Sequence, residues 1–327
     1  MNSLDSSVAY FESAFQEEIQ KIITTEPHKL YEPVGYSLMI GGKRLRPALM
    51  LHAASLFTDS LNHVLPAAMA IEIFHNFTLL HDDIMDHADL RRGLPTVHKK
   101  YSENVAILSG DAMSILAFKY LSQGETPNLK ELLSLFSVTS LEVCEGQQMD
   151  MDFEISAEVT IEHYIEMIRL KTAVLIACSL KIGALMANAT AEAAELLYDY
   201  GINVGLAFQL QDDWLDVYGD PKVFGKKQGG DICANKKTYL LLKAAASCDP
   251  EMLLELNLWL AKEDFDPAQK VAVITAIYEK TGVSASARDL MRHYHDKALA
   301  ALSKLNIPDA QKQVLIAFAG EAMVRIK

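Results

Sequence analysis

The chain has 327 residues, half of them hydrophobic, which suffices for two average domains or for one large domain with a deep core. It carries 43 acidic against 30 basic residues, a formal net charge of -13, which argues against nucleic acid or an anionic membrane surface as a general partner; an anionic substrate would need local basic clusters or metal ions. Cys144, Cys178, Cys233 and Cys248 are far apart with no CxxC spacing, which argues against a zinc site or a disulfide framework and favours a reducing, cytoplasmic setting.

The N-terminal MNSLDSSVAYFESAF carries Asp5 and Glu12 where a signal peptide would have a basic and then an apolar stretch. No apolar run approaches the roughly 18 residues of a spanning helix, so no integral membrane segment is expected. VAYFESAFQEEIQKII opens a series of segments with apolar residues three and four apart. After Pro33 comes GGKRLRP (41–47), a glycine pair followed by Lys43, Arg44 and Arg46, and then PALMLHAASLF. The apolar AIEIFHNFTLL runs into LLHDDIMD, which closes on Asp82, Asp83 and Asp86; DLRRGLP follows with Arg91 and Arg92.

Further helical patterns are ILSGDAMSILAFKYL, LKELLSLFSVTSLEVCEG, AEAAELLYDYGINVGLAFQLQDDWLDVY and VAVITAIYEKTG. Breaks between the helical patterns are expected at Pro33, Gly41-Gly42, the loop Arg92 to Pro95, Gly124 to Pro127, Gly219 to Pro221, Gly229-Gly230, Pro250 and Pro308. Ten or more helices with short connections, few candidate strands and no low-complexity linker predict one all-α domain over residues 1–327.

DDIMD at 82–86 recurs as DDWLD at 212–216. Residues four apart share a helix face, so Asp82 with Asp86 and Asp212 with Asp216 form two carboxylate prongs, with Asp83 and Asp213 beside them. Like charges at this spacing cost a helix about 0.2–0.5 kcal/mol, and a divalent cation is the simplest compensator. Carboxylates without nearby thiols suit a hard ion such as Mg2+, which is commonly completed by water and phosphate oxygens. The alternation of an EF-hand is absent, and the doublet His81-Asp82 lacks the further histidines of a metal-dependent phosphohydrolase.

A diphosphate bracketed by two such prongs calls for cations on its other sides. Candidates are Lys43, Arg44, Arg46, Arg91, Arg92, Lys171 beside Thr172, Lys226-Lys227 before Gly229-Gly230, and Lys236-Lys237. His75 lies two turns before Asp82 on the same face, and Gln209 precedes Asp212 by three residues.

GGKRLRP, LLHDDIMD with RRGLPTVH, GQQMD (146–150), LKT (170–172), FQLQDDWLD (208–216) and GKKQGGDI with NKKT (225–238) stand in order. In them the chain resembles a trans-isoprenyl diphosphate synthase of the polyprenyl synthetase family, from about residue 30 to 240. The resemblance implies an all-α fold and condensation of an allylic diphosphate (dimethylallyl, geranyl or farnesyl) with isopentenyl diphosphate, usually by a homodimer. It implies Mg2+, typically three ions, held by Asp82, Asp83, Asp86, Asp212 and Asp216, with Asp213 beside them. Arg91, Lys171, Gln209, Lys226 and Lys236 would contact the allylic diphosphate, and Thr172 and Gln209 would face the carbocation. Lys43, Arg46, His75 and Arg92 would hold isopentenyl diphosphate in a metal-free site.

Phe77, five residues before the motif, with Thr78 beside it, would set the floor under the growing chain and favours geranylgeranyl or farnesyl diphosphate as product. Three alternatives stay open: a long-chain synthase, a class I terpene cyclase, whose second motif typically mixes Asn, Ser or Thr with Glu, and a non-catalytic helical metal-binding protein.

Overall fold

The computed structural model describes residues 3–124, 126–156, 158–220 and 228–324. The helices in chain order are α1 (Leu4–Ile23), α2 (His28–Met39), α3 (Leu45–Ser55), α4 (Leu65–Met85), α5 (Val97–Lys100), α6 (Glu103–Ser122), α7 (Leu129–Ile155), α8 (Ile161–Ile168), α9 (Val174–Met186), α10 (Ala191–Tyr218), α11 (Gly230–Cys233), α12 (Tyr239–Ser247), α13 (Pro250–Leu260), α14 (Pro267–Lys280), α15 (Val283–Lys304) and α16 (Asp309–Val324). Among the described residues, strands occur as one two-residue antiparallel pair, Leu90–Arg91 with Leu94–Pro95. The all-α expectation holds.

Two compact units make up the chain: Met1–Val138 with Cys178–Tyr198, and Thr139–Ala177 with Asp199–Lys327. In the first, α4 packs against α6, and α1 against α2 and α3. Phe11, Phe15 and Ile19 repeat every four residues along α1 and are fully buried, the stripe that seats an amphipathic helix on its core. Ser3 starts α1 through a capping box with Ser6, satisfying two otherwise orphaned amide donors. In the second unit, Tyr164, Met167, Leu210, Trp214, Ile274, Ile277, Tyr278 and Met291 belong to one apolar cluster. Burying side chains of this size contributes about 1.5–3 kcal/mol each, which makes this cluster the rigid backing for the polar groups beside it.

Three readings of the sequence meet a difference here. Pro33 lies inside α2 rather than between elements; as the sixth helical residue it removes one backbone donor without ending the helix. Asn62–Met85 and Glu103–Ser122 are each long and apolar enough to cross a membrane by length and composition. This corrects the expectation that nothing approaches that length. Polar residues such as Glu72, His75 and Asn76 break the literal run in the first stretch, but Ala67 through Phe74 are all buried against protein, as in a core helix. The loop expected after the first acidic cluster is a hairpin whose two turn residues, Arg92 (φ 53°) and Gly93 (φ 79°), are both left-handed, as a two-residue hairpin turn with the favoured twist requires.

Candidate active site

In the first unit, the end of α4 carries His75, Phe77, Thr78, Asp82 and Asp83, and Asp86 is its C-cap. The two neighbours Asp82 and Asp83 part company: Asp82 is half-buried, Asp86 is exposed, and Asp83 is 4% exposed. Consecutive residues point about 100° apart on a helix, so one faces inward while the i, i+4 pair faces outward. Arg91 meets Asp83 through Nε at 2.9 and 2.8 Å and through Nη2 at 2.7 Å, a forked pairing of a guanidinium with a carboxylate. The structure therefore gives Asp83, predicted as a metal ligand, a cation of the chain itself as partner, and it commits part of Arg91's donor fork to that role.

The loop 41–44 brings the cations of the second predicted subsite together. Gly42 stands at φ 151°, and a Cβ there would fall 2.7 Å from the Arg92 guanidinium, so only glycine lets that guanidinium lie against the loop. Arg46 Nη1 donates to His75 Nε2 at 3.1 Å. Burial and the neighbouring Arg46, Arg92, Arg91 and Arg44 push His75 well below its ordinary pKa. Burial also brings Arg46 down to about 10, which leaves it cationic at neutral pH. Arg46 Nε is buried with no hydrogen-bond partner among the described residues. Lys43 stands exposed on the same loop.

Arg44, third of the cations in that motif, is instead structural. It is 3% exposed and bonds Glu12 at 2.7 Å, Glu72 at 2.5 Å and the Leu38 carbonyl at 2.7 Å.

Phe77 is half-buried in a chain of rings, with centroids 5.4 Å from Phe74 and 4.8 Å from His81; Phe74 continues to Phe136 at 5.2 Å, and Phe136 to Phe118 at 4.9 Å. Thr78 turns its hydroxyl onto the His75 carbonyl at 2.8 Å.

In the second unit, α8 passes into α9 through a π-helical turn, Arg169–Ala173, which holds Lys171 and Thr172; such turns are rare and frequent at functional sites. Two glycines admit its backbone. A Cβ on Gly146 of α7 would lie 2.4 Å from the Lys171 amide nitrogen, and one on Gly205 of α10 would lie 2.6 Å from the Ala173 Cα. Lys171 Nζ pairs with Asp150 at 2.6 Å, and the Thr172 hydroxyl donates to Gln209 Oε1 at 3.1 Å. Asp212 and Asp216 are half-buried, whereas Asp213 is 4% exposed. Asp213 accepts from Tyr164 Oη at 2.5 Å and from Gln209 Nε2 at 2.9 Å, and burial raises its pKa to about 7.

Asp216 accepts the Asp231 amide at 3.0 Å, and its backbone carbonyl accepts from the Gly229 amide at 2.7 Å. These bonds hold Gly229 and the first turn of α11 to the second acidic motif. Burial alone would depress Lys236, but Asp150, Asp213, Asp231 and Asp212 around it hold it above its ordinary value. Lys226 lies outside the described residues.

Sequence reasoning assigned no role to Asp150, Tyr164 or Asp231. Asp150 and Asp231 end or follow glycine motifs that were visible, GQQMD and QGGD; Tyr164 carries no signal beyond standing two turns before Lys171. Among the described residues no three acidic, His or Cys side chains converge into a ready metal cage. Each unit by itself offers a pair of hard oxygen ligands, Asp82 with Asp86 in the first and Asp212 with Asp216 in the second. That suits Mg2+, which binds through one or two carboxylates and leaves positions for water and phosphate.

The family model described as Polyprenyl synthetase matches residues 27–280. The geranylgeranyl diphosphate synthase of Methanosarcina mazei is 46% identical over 222 residues, spanning 67% of this chain and 68% of that protein. The crystal structure of a geranylgeranyl pyrophosphate synthase superposes at a TM-score of 0.92 with 45% identity, covering 100% of both chains. That of the geranylgeranyl pyrophosphate synthase from Corynebacterium glutamicum, complexed with isoprenyl diphosphate and magnesium, superposes at 0.82 with 29% identity, covering 98% of this chain and 97% of the other. With family motifs in order, and relatives this similar over most of the chain, the protein belongs to the polyprenyl synthetase family.

Proposed function

We propose that the protein is a Mg2+-dependent trans-prenyltransferase that condenses an allylic diphosphate with isopentenyl diphosphate head to tail. The product is a short all-trans prenyl diphosphate, geranylgeranyl diphosphate first and farnesyl diphosphate next. The observation that carries this reading is the cluster of Arg46, His75 and Arg92, with the unpartnered Arg46 Nε, in a chain that also has two separate carboxylate pairs. A cyclase needs one diphosphate site; two kinds of site suit two diphosphate substrates.

Asp82, Asp86, Asp212 and Asp216 would hold Mg2+, three ions by the habit of the family. When bound, the metal neutralises charge on the leaving diphosphate. The chain's own residues do the rest. Arg91, Lys171 and Lys236 present cations to the allylic diphosphate, where negative charge builds up as the C–O bond breaks; Lys226 takes the same role by resemblance. Lys43, Arg46 and Arg92 hold isopentenyl diphosphate so that its double bond attacks the allylic cation, with neutral His75 accepting from Arg46. The Thr172 and Gln209 oxygens offer lone pairs to the cation. The departing diphosphate takes the released proton, so no side-chain base is needed.

Phe77 closes the space beneath the growing hydrocarbon. Residues 1–327 act as one catalytic domain, in the cytoplasm and as a homodimer; exposed Ile107, Leu108 and Ile115 on α6 support the second copy.

Labelled isopentenyl diphosphate supplied with Mg2+ and each of the C5, C10 and C15 starters tests this reading by mass analysis of products. C20 or C15 product is expected. Turnover of an allylic diphosphate without isopentenyl diphosphate would identify a cyclase instead, and products much longer than C20 a long-chain synthase.

A further inference from the structure

Asp213 shares a motif with Asp212 and Asp216, yet its surroundings differ from theirs. Its Oδ2 accepts from Tyr164 Oη at 2.5 Å and its Oδ1 from Gln209 Nε2 at 2.9 Å. Gln209 then accepts from the Thr172 hydroxyl on its Oε1 at 3.1 Å. Tyr164 is 1% and Asp213 4% exposed, and Tyr164 belongs with Met167, Ile168 and Leu210 to the apolar cluster of this unit. Every bond in this chain points toward Asp213.

The ionised Asp213 has only acceptors to offer, so in that form the NH2 side of Gln209 faces Asp213 and its carbonyl faces Thr172. The reversed amide would set a carbonyl oxygen against a carboxylate oxygen, and the Thr172 hydroxyl would accept from Gln209 instead of donating to it. Gln209 Oε1 and Thr172 Oγ1 thus lie 3.1 Å apart, each with lone-pair capacity beyond their mutual bond.

We propose that Asp213 and Tyr164 are positioning residues: Tyr164 fixes Asp213, and Asp213 locks the Gln209 amide so that the oxygens of Gln209 and Thr172 together face the developing carbocation. This rests on the prenyltransferase reading and assigns Asp213 away from the metal. Removing the Tyr164 hydroxyl leaves a buried carboxylate oxygen without its donor, and the loss reaches the reaction only through Gln209.

The test compares Tyr164→Phe, Asp213→Asn, Gln209→Leu and the Tyr164→Phe/Gln209→Leu double variant in steady-state kinetics with Mg2+ titrations. Tyr164→Phe and Asp213→Asn should lower kcat by about tenfold or more. KM for both diphosphates and the Mg2+ concentration at half-maximal rate should stay within about twofold. Once Gln209 is leucine, Tyr164→Phe should change kcat by less than about twofold, because the two act through one amide.

A rise of about tenfold in the Mg2+ requirement of Asp213→Asn would make that carboxylate a ligand and overturn the proposal. Losses that multiply in the double variant would also overturn it, by showing a merely structural tyrosine. Asp213→Asn keeps the side chain's shape and carries the test if Tyr164→Phe does not fold. Wild-type protein that fails to condense the two diphosphates would overturn the functional reading, a result separate from wild-type condensation with multiplicative losses.

Discussion

Arg46 donates to His75 Nε2 at 3.1 Å, and because a guanidinium has no lone pair to offer, the imidazole is the acceptor there and carries its proton on Nδ1. The pair holds a half-buried cation whose Nε is buried with no hydrogen-bond partner among the described residues, so a phosphate oxygen would complete it. Arg46→Ala should raise KM for isopentenyl diphosphate between about tenfold and a hundredfold, the worth of one charge-assisted bond in a desolvated place. KM for the allylic diphosphate should barely move. Initial rates with each substrate varied in turn check this, and equal changes in both would remove Arg46 from the isopentenyl site.

Phe77 packs on Phe74 and His81, but it is half-buried, unlike Phe74. Phe77→Ala should lengthen the products beyond those of the wild type. It should lower stability by less than the roughly 3–5 kcal/mol typical of a fully buried Phe. Chromatography of the products with thermal melts reads both, and an unchanged product spectrum would dismiss Phe77 as the floor.

A Cβ at residue 146 would sit 2.4 Å from the Lys171 amide nitrogen, whereas one at Gly320 would meet nothing within 4 Å. Gly146→Ala should therefore destabilise by about 1–3 kcal/mol through overpacking and reduce activity by displacing Lys171 and Thr172. Gly320→Ala, inside α16, should stabilise by roughly 0.5–1 kcal/mol. Chemical denaturation of the two variants decides; equal tolerance would mean that α7 has room to retreat from the turn.

His52 is 2% exposed, and neither ring nitrogen has a hydrogen-bond partner among the described residues. Burial pushes its pKa down to about 4 from 6.5. The unfolded chain then takes the proton first as pH falls, so the stability tied to neutral His52 is complete above pH 6.5 and drains away as pH drops toward 4. The loss approaches about 3 kcal/mol at the bottom of that window. Urea denaturation at pH 7.5 and pH 5 should show wild type losing more than His52→Leu, and parallel losses would show that the ring has a proton partner.

Leu108 and Ile115 are 59% and 69% exposed and lie seven residues apart on α6, hence on one face. Sedimentation should find the wild type as a dimer and Leu108→Glu/Ile115→Glu as a monomer. A wild-type monomer would reject the homodimer.

Much of this was legible in the sequence because it depends on spacing alone. The amphipathic stripe of α1 and the whole of α10 follow from the three-four repeat, and the pairs Asp82–Asp86 and Asp212–Asp216 follow from the four-residue helix repeat. Which member of each Asp-Asp doublet turns inward was not legible. That depends on which side of α4 or α10 meets protein, and it decides that Asp83 goes to Arg91 and Asp213 to Tyr164. Arg44 and Arg46 show the same limit: two residues apart in one motif, the first is held by Glu12 and Glu72 and the second keeps an unpartnered donor. The roles of Asp150 and Asp231 depend on pairings with Lys171 and Asp216 made across 21 and 15 residues. No local pattern encodes these.

The π-helical turn at Arg169–Ala173 acts on angular phase. A regular α-helix advances each residue by about 100°, and one surplus residue retards everything after it by roughly that angle. Across this turn Lys171 reaches Asp150 on α7 while its neighbour Thr172 reaches Gln209 on α10. A chain shortened by one residue here would recover regular backbone hydrogen bonds and lose the simultaneous aim of these two side chains. The local irregularity is thus a timing element, and single-residue deletions within 169–173 should be tolerated far better by the fold than by the chemistry.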